Sequence, residues 1–280
     1  MAIYKSPAAQ QKILEIKNGG INQLHVVTDF DGTLTPEYNK AGVKQPSAIA
    51  LIREPGILSD TYSKKAHALF DYYHPFEIDP NLSLEQKKNK MYQWWDEHQK
   101  LIVESGLTQE IIDRVSQKSN KTFRDNVDKF FEILNSNSIP VLIFSAGVGN
   151  IIDKLLEYNN LVYPNIEVVS NYYTFNSDGR IAAPTQIIHT FNKDETALEN
   201  HPFSKQIVDK PNIILIGNSL GDVEMARVKE NSTVLKIGFL DKISSDLELQ
   251  KFREVYDIVI TEIGDFGVVN EVLGDLVCER

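Results

Sequence analysis

With 280 residues, 42% of them hydrophobic and 24% charged, the chain has enough apolar material for one substantial core plus a smaller module, which excludes disorder as its default state. A formal charge of −10 excludes a nucleic acid polymer as the main partner, since phosphate backbones select basic surfaces, while one small anion in a local cationic pocket stays compatible. No stretch approaches the roughly 18 apolar residues of a membrane span, and the single cysteine, Cys278, excludes an intrachain disulfide or a cysteine-rich zinc site.

Residues 1–20 carry Lys5, Lys12, Glu15 and Lys17 without the apolar run of a secretory signal, so a monomeric cytoplasmic protein with no membrane partner is expected. The first strand is predicted at 24–28, and Asp29-Phe30-Asp31-Gly32-Thr33 follows at its end. Two aspartates so placed can be a polar turn, because Asp and Gly suit turn geometry. They can also be the centre of a phosphohydrolase. A carboxylate nucleophile and an anionic phosphate ester repel each other, so a divalent cation must sit between them, and Mg²⁺ suits because it prefers hard oxygen ligands. Asp29 is placed to be both ligand and nucleophile. Asp31 is placed to protonate the departing alcohol and then to deprotonate the water that cleaves an aspartyl-phosphate.

From about 45 to 120 strand signals are few, and amphipathic helical patterns follow one another at 46–54, 60–73, 84–105 and 108–119. This segment reads as a helical cap domain, 45–120, inserted after the first catalytic strand into a core made of 1–44 and 121–280. Such an insert can form a lid over the carboxyl ends of the strands. Within it, Met91, Trp94, Trp95, His98, Leu101 and Ile102 make one apolar stripe, which is either core or ligand surface. Trp94 is expected inside the cap, and Trp95 is open between the two.

A helix is predicted at 124–135, with Val127, Phe130, Phe131 and Leu134 on one face. The next strand, 141–144, ends in Ser145-Ala146-Gly147, which either caps the following helix or cradles a phosphate at its N-terminus. After a strand at 167–170, another is predicted at 187–191, leading to Lys193; that lysine is either solvated or an ammonium set on phosphate oxygens. The strand at 213–216 runs into Gly217-Asn218-Ser219-Leu220-Gly221-Asp222, where Asn218 and Asp222 offer oxygens to a cation. Strands at 234–237 and 258–260 complete an alternation that implies a parallel α/β sheet. The histidines show no metal-ligand spacing and receive no catalytic role.

A nucleophile with its acid, a hydroxyl, a lysine and cation-binding oxygens, in that order at four strand ends, resemble the haloacid dehalogenase-like superfamily of Asp-based phosphatases. The resemblance implies a Rossmann-like parallel-sheet core. In it Asp29 is nucleophile, Asp31 is acid/base and backbone-carbonyl ligand, Ser145, Ala146, Gly147 and Lys193 bind phosphate, and Asn218 and Asp222 complete an Mg²⁺ site.

A narrower likeness rests on Phe76-Glu77-Ile78-Asp79-Pro80, Met91-Tyr92-Gln93-Trp94-Trp95, Ile-Pro-Val-Leu-Ile-Phe-Ser-Ala-Gly at 139–147, Ile-Ile-His-Thr-Phe-Asn-Lys at 187–193, and the segments 235–240 and 256–259. These look like the cytosolic type III (pyrimidine) 5′-nucleotidases over most of the chain from about 21 to 262. The likeness implies hydrolysis of nucleoside 5′-monophosphates, with phosphate transfer to another nucleoside as a side activity.

Two positions depart from that family. Asn218 stands where an Asp is usual, which removes one negative charge and implies weaker metal affinity. Gln93 stands where a Glu usually contacts the base, and offers a donor and an acceptor instead of a carboxylate. Trp94-Trp95 resembles the branch that accepts 7-methylguanosine monophosphate, whose cationic purine gains from stacking on indole. Gln93 and Trp95 are therefore the expected base contacts. Two other readings stay open: a phosphatase of phosphoserine or a sugar phosphate, and a nucleotide-binding protein with weak turnover.

Overall fold

Apolar runs buried on both sides build the centre of a seven-stranded sheet. The structure, a computed structural model, describes residues 2–278 except 80, 120, 178, 180, 183, 185, 194–197, 199, 200 and 227–231. Pro80 of the 76–80 segment and the last residue of the expected 45–120 insert lie outside the described residues. The strands of the main sheet are β1 (Ile3–Lys5), β2 (Leu24–Thr28), β3 (Val141–Val148), β4 (Ile166–Asn171), β5 (Asn212–Gly217), β6 (Val234–Leu240) and β7 (Ile258–Thr261). They lie in the order β1-β7-β6-β5-β2-β3-β4, parallel throughout except for β1, which runs antiparallel to β7.

The helices are α1 (Pro7–Gly19), α2 (Ala48–Arg53), α3 (Asp60–Ile78), α4 (Leu84–Glu104), α5 (Gln109–Lys118), α6 (Val127–Ser136), α7 (Gly149–Tyr158), α8 (Pro202–Ile207), α9 (Asp246–Val255) and α10 (Gly267–Val277). Strand alternation splits the apolar residues between two layers. Val26, Val141, Ile143, Ile214 and Ile216 pack with residues of α1, α6, α7 and α10, whereas Val27, Leu142, Phe144, Ile213 and Leu215 pack with Phe203 of α8 and Phe252 of α9. Burial on both faces explains why the strands read as unbroken apolar runs. Each fully buried Val, Leu, Ile or Phe contributes about 1.5–3 kcal/mol relative to exposure.

Helices α2–α5 occupy the chain between β2 and β3, as the sequence predicts. Leu51, Ile52, Tyr62, Ala66, Leu101, Ile102, Ile112 and Val115 from these helices join the same apolar cluster as the first sheet layer. Helix α3 continues past 73 to Ile78 with Pro75 inside it, because a proline in the last turn sacrifices only one N–H bond. Among the described residues, no helix is long and apolar enough to cross a membrane.

Two local expectations fail. No strand forms at 187–191. At the end of β4, Asn171 donates Nδ2 to the Ile188 carbonyl at 2.8 Å and accepts the Ile188 N–H on Oδ1 at 2.9 Å, so one amide side chain replaces a ladder. A turn then closes as the His189 N–H donates to Asn192 Oδ1 at 2.7 Å. In addition, β3 continues beyond 144 to Val148 with a register break between Phe144 and Val148, and α7 starts only at Gly149. Ser145-Ala146-Gly147 therefore sits in a strand irregularity, not in the first turn of a helix.

Candidate active site

Parallel pairing of β2 with β3 and β5 places Asp29, Ser145 and Asn218 together at the carboxyl end of the sheet centre. Asp29 continues the ladder by donating its N–H to the Ile216 carbonyl at 3.0 Å. Its carboxylate is 5% exposed and accepts from Lys193 Nζ at 2.6 Å on Oδ1, while Thr33 Oγ1 lies 3.3 Å from Oδ2. The Asp29 carboxyl is raised to about 7: burial pushes it up, the Lys193 ammonium pulls against that, and Asp222 adds to the push. Lys193 is buried as well. Burial alone would lower its pKa, but Asp222 and Asp29 outweigh that and hold it above its ordinary value.

Ser145 Oγ accepts the Gly147 N–H at 3.0 Å, and Asn171 Nδ2 reaches the Ala146 and Gly147 carbonyls at 3.0 and 3.2 Å. The same Asn171 thus orders both the Ser-Ala-Gly turn and the segment that carries Lys193. A side chain at Gly147 would meet Ala48 Cβ at 3.1 Å and Asp31 Oδ2 at 3.4 Å, so glycine lets the turn lie close against the second aspartate.

Asp31 has partners that no motif in the sequence announces. Both its oxygens accept the Ala48 N–H at 3.0 Å, which caps α2, and Oδ1 lies 2.8 Å from Lys121 Nζ. Lys121 also donates to the Pro46 carbonyl at 2.8 Å, and its side chain is almost fully buried. Behind it, Arg124 donates to the carbonyls of Gly32, Thr33 and Gly264 and to Asp241 Oδ1, with its guanidinium 4.1 Å above the Phe239 ring. This clamp fixes the loop after Asp31. Both residues belong to the return from the helical segment to the core, the one feature of their position that could have marked them.

Asn218 and Asp222 do come to the aspartates, in different ways. The amide atom of Asn218 that faces inward lies 3.1 Å from the Asp31 carbonyl oxygen, 3.2 Å from Asp29 Oδ2 and 3.1 Å from Thr33 Oγ1. Turned nitrogen-inward, the amide donates to those oxygens; turned oxygen-inward, it makes with the Asp31 carbonyl and Asp29 Oδ2 a trio of hard oxygens. Such a trio fits Mg²⁺, which takes oxygen ligands and keeps waters for its other positions. Gly32, at φ +85°, is what allows the approach, since a Cβ there would collide with the Asn218 amide. Asp222 uses Oδ1 on Lys193 at 2.9 Å and Oδ2 on the backbone N–H groups of Asn218 and Ser219 at 3.1 and 2.9 Å. It therefore fixes the Asn218 backbone and Lys193 together.

A cleft of about 670 Å³ opens from this cluster toward α2, α3 and α4. Its far end is aromatic and includes Phe70, Trp94, Trp95 and His98, with Arg53, His74 and Glu77 among them. Trp94, expected inside the cap, lines the cleft; its ring lies nearly parallel to Tyr73 at 6.2 Å and edge-on to Phe70 at 5.8 Å. Trp95 lines it too, although it is the more buried of the pair. Gln93, expected to contact the base, is exposed and outside the lining. At 100° per residue it stands about 200° around α4 from both Met91 and Trp95, on the outer face. Glu77 is a carboxylate that does line the cleft, beside His74. Burial would raise its pKa, but hydrogen bonds from His74 at 3.2 Å and Thr190 at 2.7 Å hold it below its ordinary value.

The fold and this strand-end cluster define a haloacid dehalogenase-like hydrolase. Solved structures of that fold include a phosphoserine phosphohydrolase-like protein from Francisella tularensis, with a TM-score of 0.53 at 18% identity over 91% of this chain and 99% of that one. Within that class, the model of the pyrimidine 5′-nucleotidase (UMPH-1) family matches residues 32–277, and the chain belongs to this family. The human 7-methylguanosine phosphate-specific 5′-nucleotidase is 36% identical over 282 residues, covering 99% of this chain and 93% of that protein. Form A of the enzyme of that name from Xenopus laevis is 36% identical over 266 residues, 94% of this chain and 91% of that protein. The crystal structure of cytosolic 5′-nucleotidase IIIB bound to cytidine matches with a TM-score of 0.90 at 32% identity, over 98% of this chain and 93% of that one.

Proposed function

We propose that the protein is an Mg²⁺-dependent 5′-nucleotidase that hydrolyses nucleoside 5′-monophosphates through an aspartyl-phosphate on Asp29. The observation that carries this reading is a single cleft with Asp29, Asp31, Ser145 and Lys193 at one end and Phe70, Trp94 and Trp95 at the other. A phosphate and a base joined by one ribose need those two ends. The family's relatives support the substrate class, being named for 7-methylguanosine phosphate, and the solved relative binds cytidine. Helices α2–α5 serve as the cap of a monomer, and a cytoplasmic location accords with the solved relative's name, cytosolic 5′-nucleotidase IIIB.

In this mechanism Lys193 and Ser145, with the backbone of Ala146 and Gly147, hold the phosphate oxygens. An Asp29 carboxylate oxygen attacks phosphorus, and the bond to the 5′-oxygen breaks as Asp31 gives that oxygen a proton. Asp31 then takes a proton from water, whose oxygen attacks phosphorus and breaks its bond to Asp29, releasing inorganic phosphate. Interception by a nucleoside hydroxyl instead of water gives phosphate transfer. Asp29, the Asp31 carbonyl and Asn218 would hold Mg²⁺, with Asp222 behind them, and the cation offsets the repulsion between carboxylate and phosphate. At the aromatic end Trp94 and Trp95 offer stacking faces and Glu77 a hydrogen-bonding carboxylate.

The test is phosphate release from CMP, UMP, AMP, GMP and 7-methyl-GMP, with and without chelator, beside Asp29→Asn. Release that needs Mg²⁺ and falls by orders of magnitude in the variant is expected. Turnover of O-phosphoserine or hexose phosphates with none of nucleotides would overturn the substrate class, and tight nucleotide binding without release would reduce the protein to a binder.

A further inference from the structure

Asn171, the last residue of β4, is fully buried, and its amide is spent on backbone that lies to either side of it. On one side are the Ala146 and Gly147 carbonyls, both within reach of Nδ2, and the Ser170 hydroxyl adds a second donor to Gly147 at 2.9 Å. On the other side are the carbonyl and N–H of Ile188, ahead of Lys193 in the chain. Neither stretch has a ladder to hold it: the pairing of β3 with β4 breaks between Phe144 and Val148, and 187–193 joins no strand. One planar side chain stands in for the sheet between them. Peptide geometry carries its grip into the cleft. The C=O and N–H of a trans peptide point in opposite directions, so drawing the Ala146 carbonyl toward Asn171 turns the Gly147 N–H the other way, onto Ser145 Oγ. Ser145, Ala146, Gly147 and Lys193 all line the cleft, and the Lys193 ammonium comes within 3.4 Å of the Phe144 carbonyl at the start of the turn.

We propose that Asn171 is a positioning residue for the phosphoryl group: its amide fixes the spacing between the Ser145-Ala146-Gly147 turn and Lys193, so that both close on one tetrahedral phosphate. The proposal rests on the nucleotidase reading, which gives those two stretches the phosphate, and deepens it. An amide serves because it carries donors and an acceptor in one plane. A carboxylate there would face three carbonyl oxygens without a proton, and a serine hydroxyl has one proton for all three. Groups that share a substrate are sensitive to such a loss, since a misplacement of about 1 Å costs on the order of a hundredfold in rate.

Asn171→Ser and Asn171→Asp are compared with wild type and with Asn165→Ala, which removes a similar bond, to the Ile139 carbonyl, just before β4. Calorimetry with inorganic phosphate and Mg²⁺ reads the phosphate end of the cleft. Quenching of Trp94 and Trp95, the chain's two tryptophans, by cytidine or 7-methylguanosine reads the other end. In parallel, kcat and KM are measured for CMP and 7-methyl-GMP. Folded Asn171 variants are expected to bind phosphate about tenfold more weakly and to lose about tenfold to a hundredfold in kcat, with nucleoside affinity unchanged. A merely structural role would move both ligands together or neither, and Asn165→Ala should match wild type throughout. Ser170→Ala, which loosens the Gly147 carbonyl and spares Asn171, keeps the test open should neither Asn171 variant fold; phosphate affinity about threefold lower is expected there. Unaltered phosphate affinity in a folded Asn171 variant, or in Ser170→Ala if neither folds, overturns the proposal, as does a parallel loss of nucleoside affinity or a wild type that binds no phosphate. Weaker phosphate binding in the variants of a wild type that releases phosphate from no monophosphate overturns the nucleotidase reading instead and leaves the positioning role standing.

Discussion

Replacing His98 with glutamine isolates one buried titration. His98 is 3% exposed, and its Nε2 lies 3.1 Å from the Tyr62 hydroxyl, which donates to it when the ring is neutral. Burial, helped by the charge of Arg53, pushes its pKa down to about 3, against 6.5 for a free histidine. The folded chain thus keeps the ring neutral where the unfolded chain protonates it. The stability this neutral ring contributes is complete above pH 6.5 and is lost as pH falls from 6.5 toward 3. Between pH 7 and 5 the loss comes to about 2 kcal/mol from this group alone. Glutamine offers Tyr62 an acceptor and does not titrate. Urea unfolding of wild type and His98→Gln at both pH values, with the m-value checked for constancy, reads the difference directly. Wild type should lose about 2 kcal/mol more than the variant over that interval. Equal losses would mean that the ring is already charged in the folded protein or reaches water freely, and the account of His98 would be wrong.

Three further outcomes follow from the site. Asn218→Asp restores a carboxylate to the oxygen trio, so the Mg²⁺ concentration for half-maximal phosphate release should fall by about tenfold, and an unchanged value would remove Asn218 from the cation site. Lys121→Met deletes the ammonium that holds Asp31 while keeping the apolar stem. Initial-rate kinetics should show kcat lowered about tenfold to a hundredfold with KM little altered. Arg124→Met leaves Asp241 and the Gly32 and Thr33 carbonyls without their donor, at a cost of about 3–5 kcal/mol in chemical unfolding, because the Arg124–Asp241 pair is 1% exposed on both sides.

Strands buried on both faces were legible because they need unbroken apolar runs, and the residues that end them make up the candidate site. Asp29, Asp31, Ser145, Asn218 and Asp222, singled out at or near the ends of such runs, do come together at the carboxyl end of the sheet centre. The segment at 187–191 shows the opposite case. Ile187 and Ile188 look like strand, but an asparagine sixteen or more residues upstream satisfies the backbone that a neighbouring strand would have satisfied. Periodicity carries no trace of such a substitution. Lys121, Arg124 and Arg53 were illegible for a related reason: a single cation in sequence looks solvated, and only the fold shows what surrounds it. Gln93 was misplaced because adjacency to Trp94 and Trp95 in the chain says nothing about which side of α4 it occupies. β1, three residues long, gives no pattern to read; it is defined by its register on β7, with Ile3 opposite Ile260.

Asp31 occupies an unusual mechanical position. The chain leaves the sheet layer for α2 through Pro46 and Ala48 and comes back from α5 through Lys121, and both crossings are bonded to this one carboxylate or to each other. The two crossings on which the helices could swing thus share one anchor, and that anchor is the carboxyl to which the proposed mechanism assigns the proton. The partners of Asp31 belong to the segments that lead to and from the helices, whereas Asp29 is anchored in the ladder of the sheet. In the proposed mechanism, then, movement of the helices over a substrate and a change at the proton-carrying carboxyl would be one event.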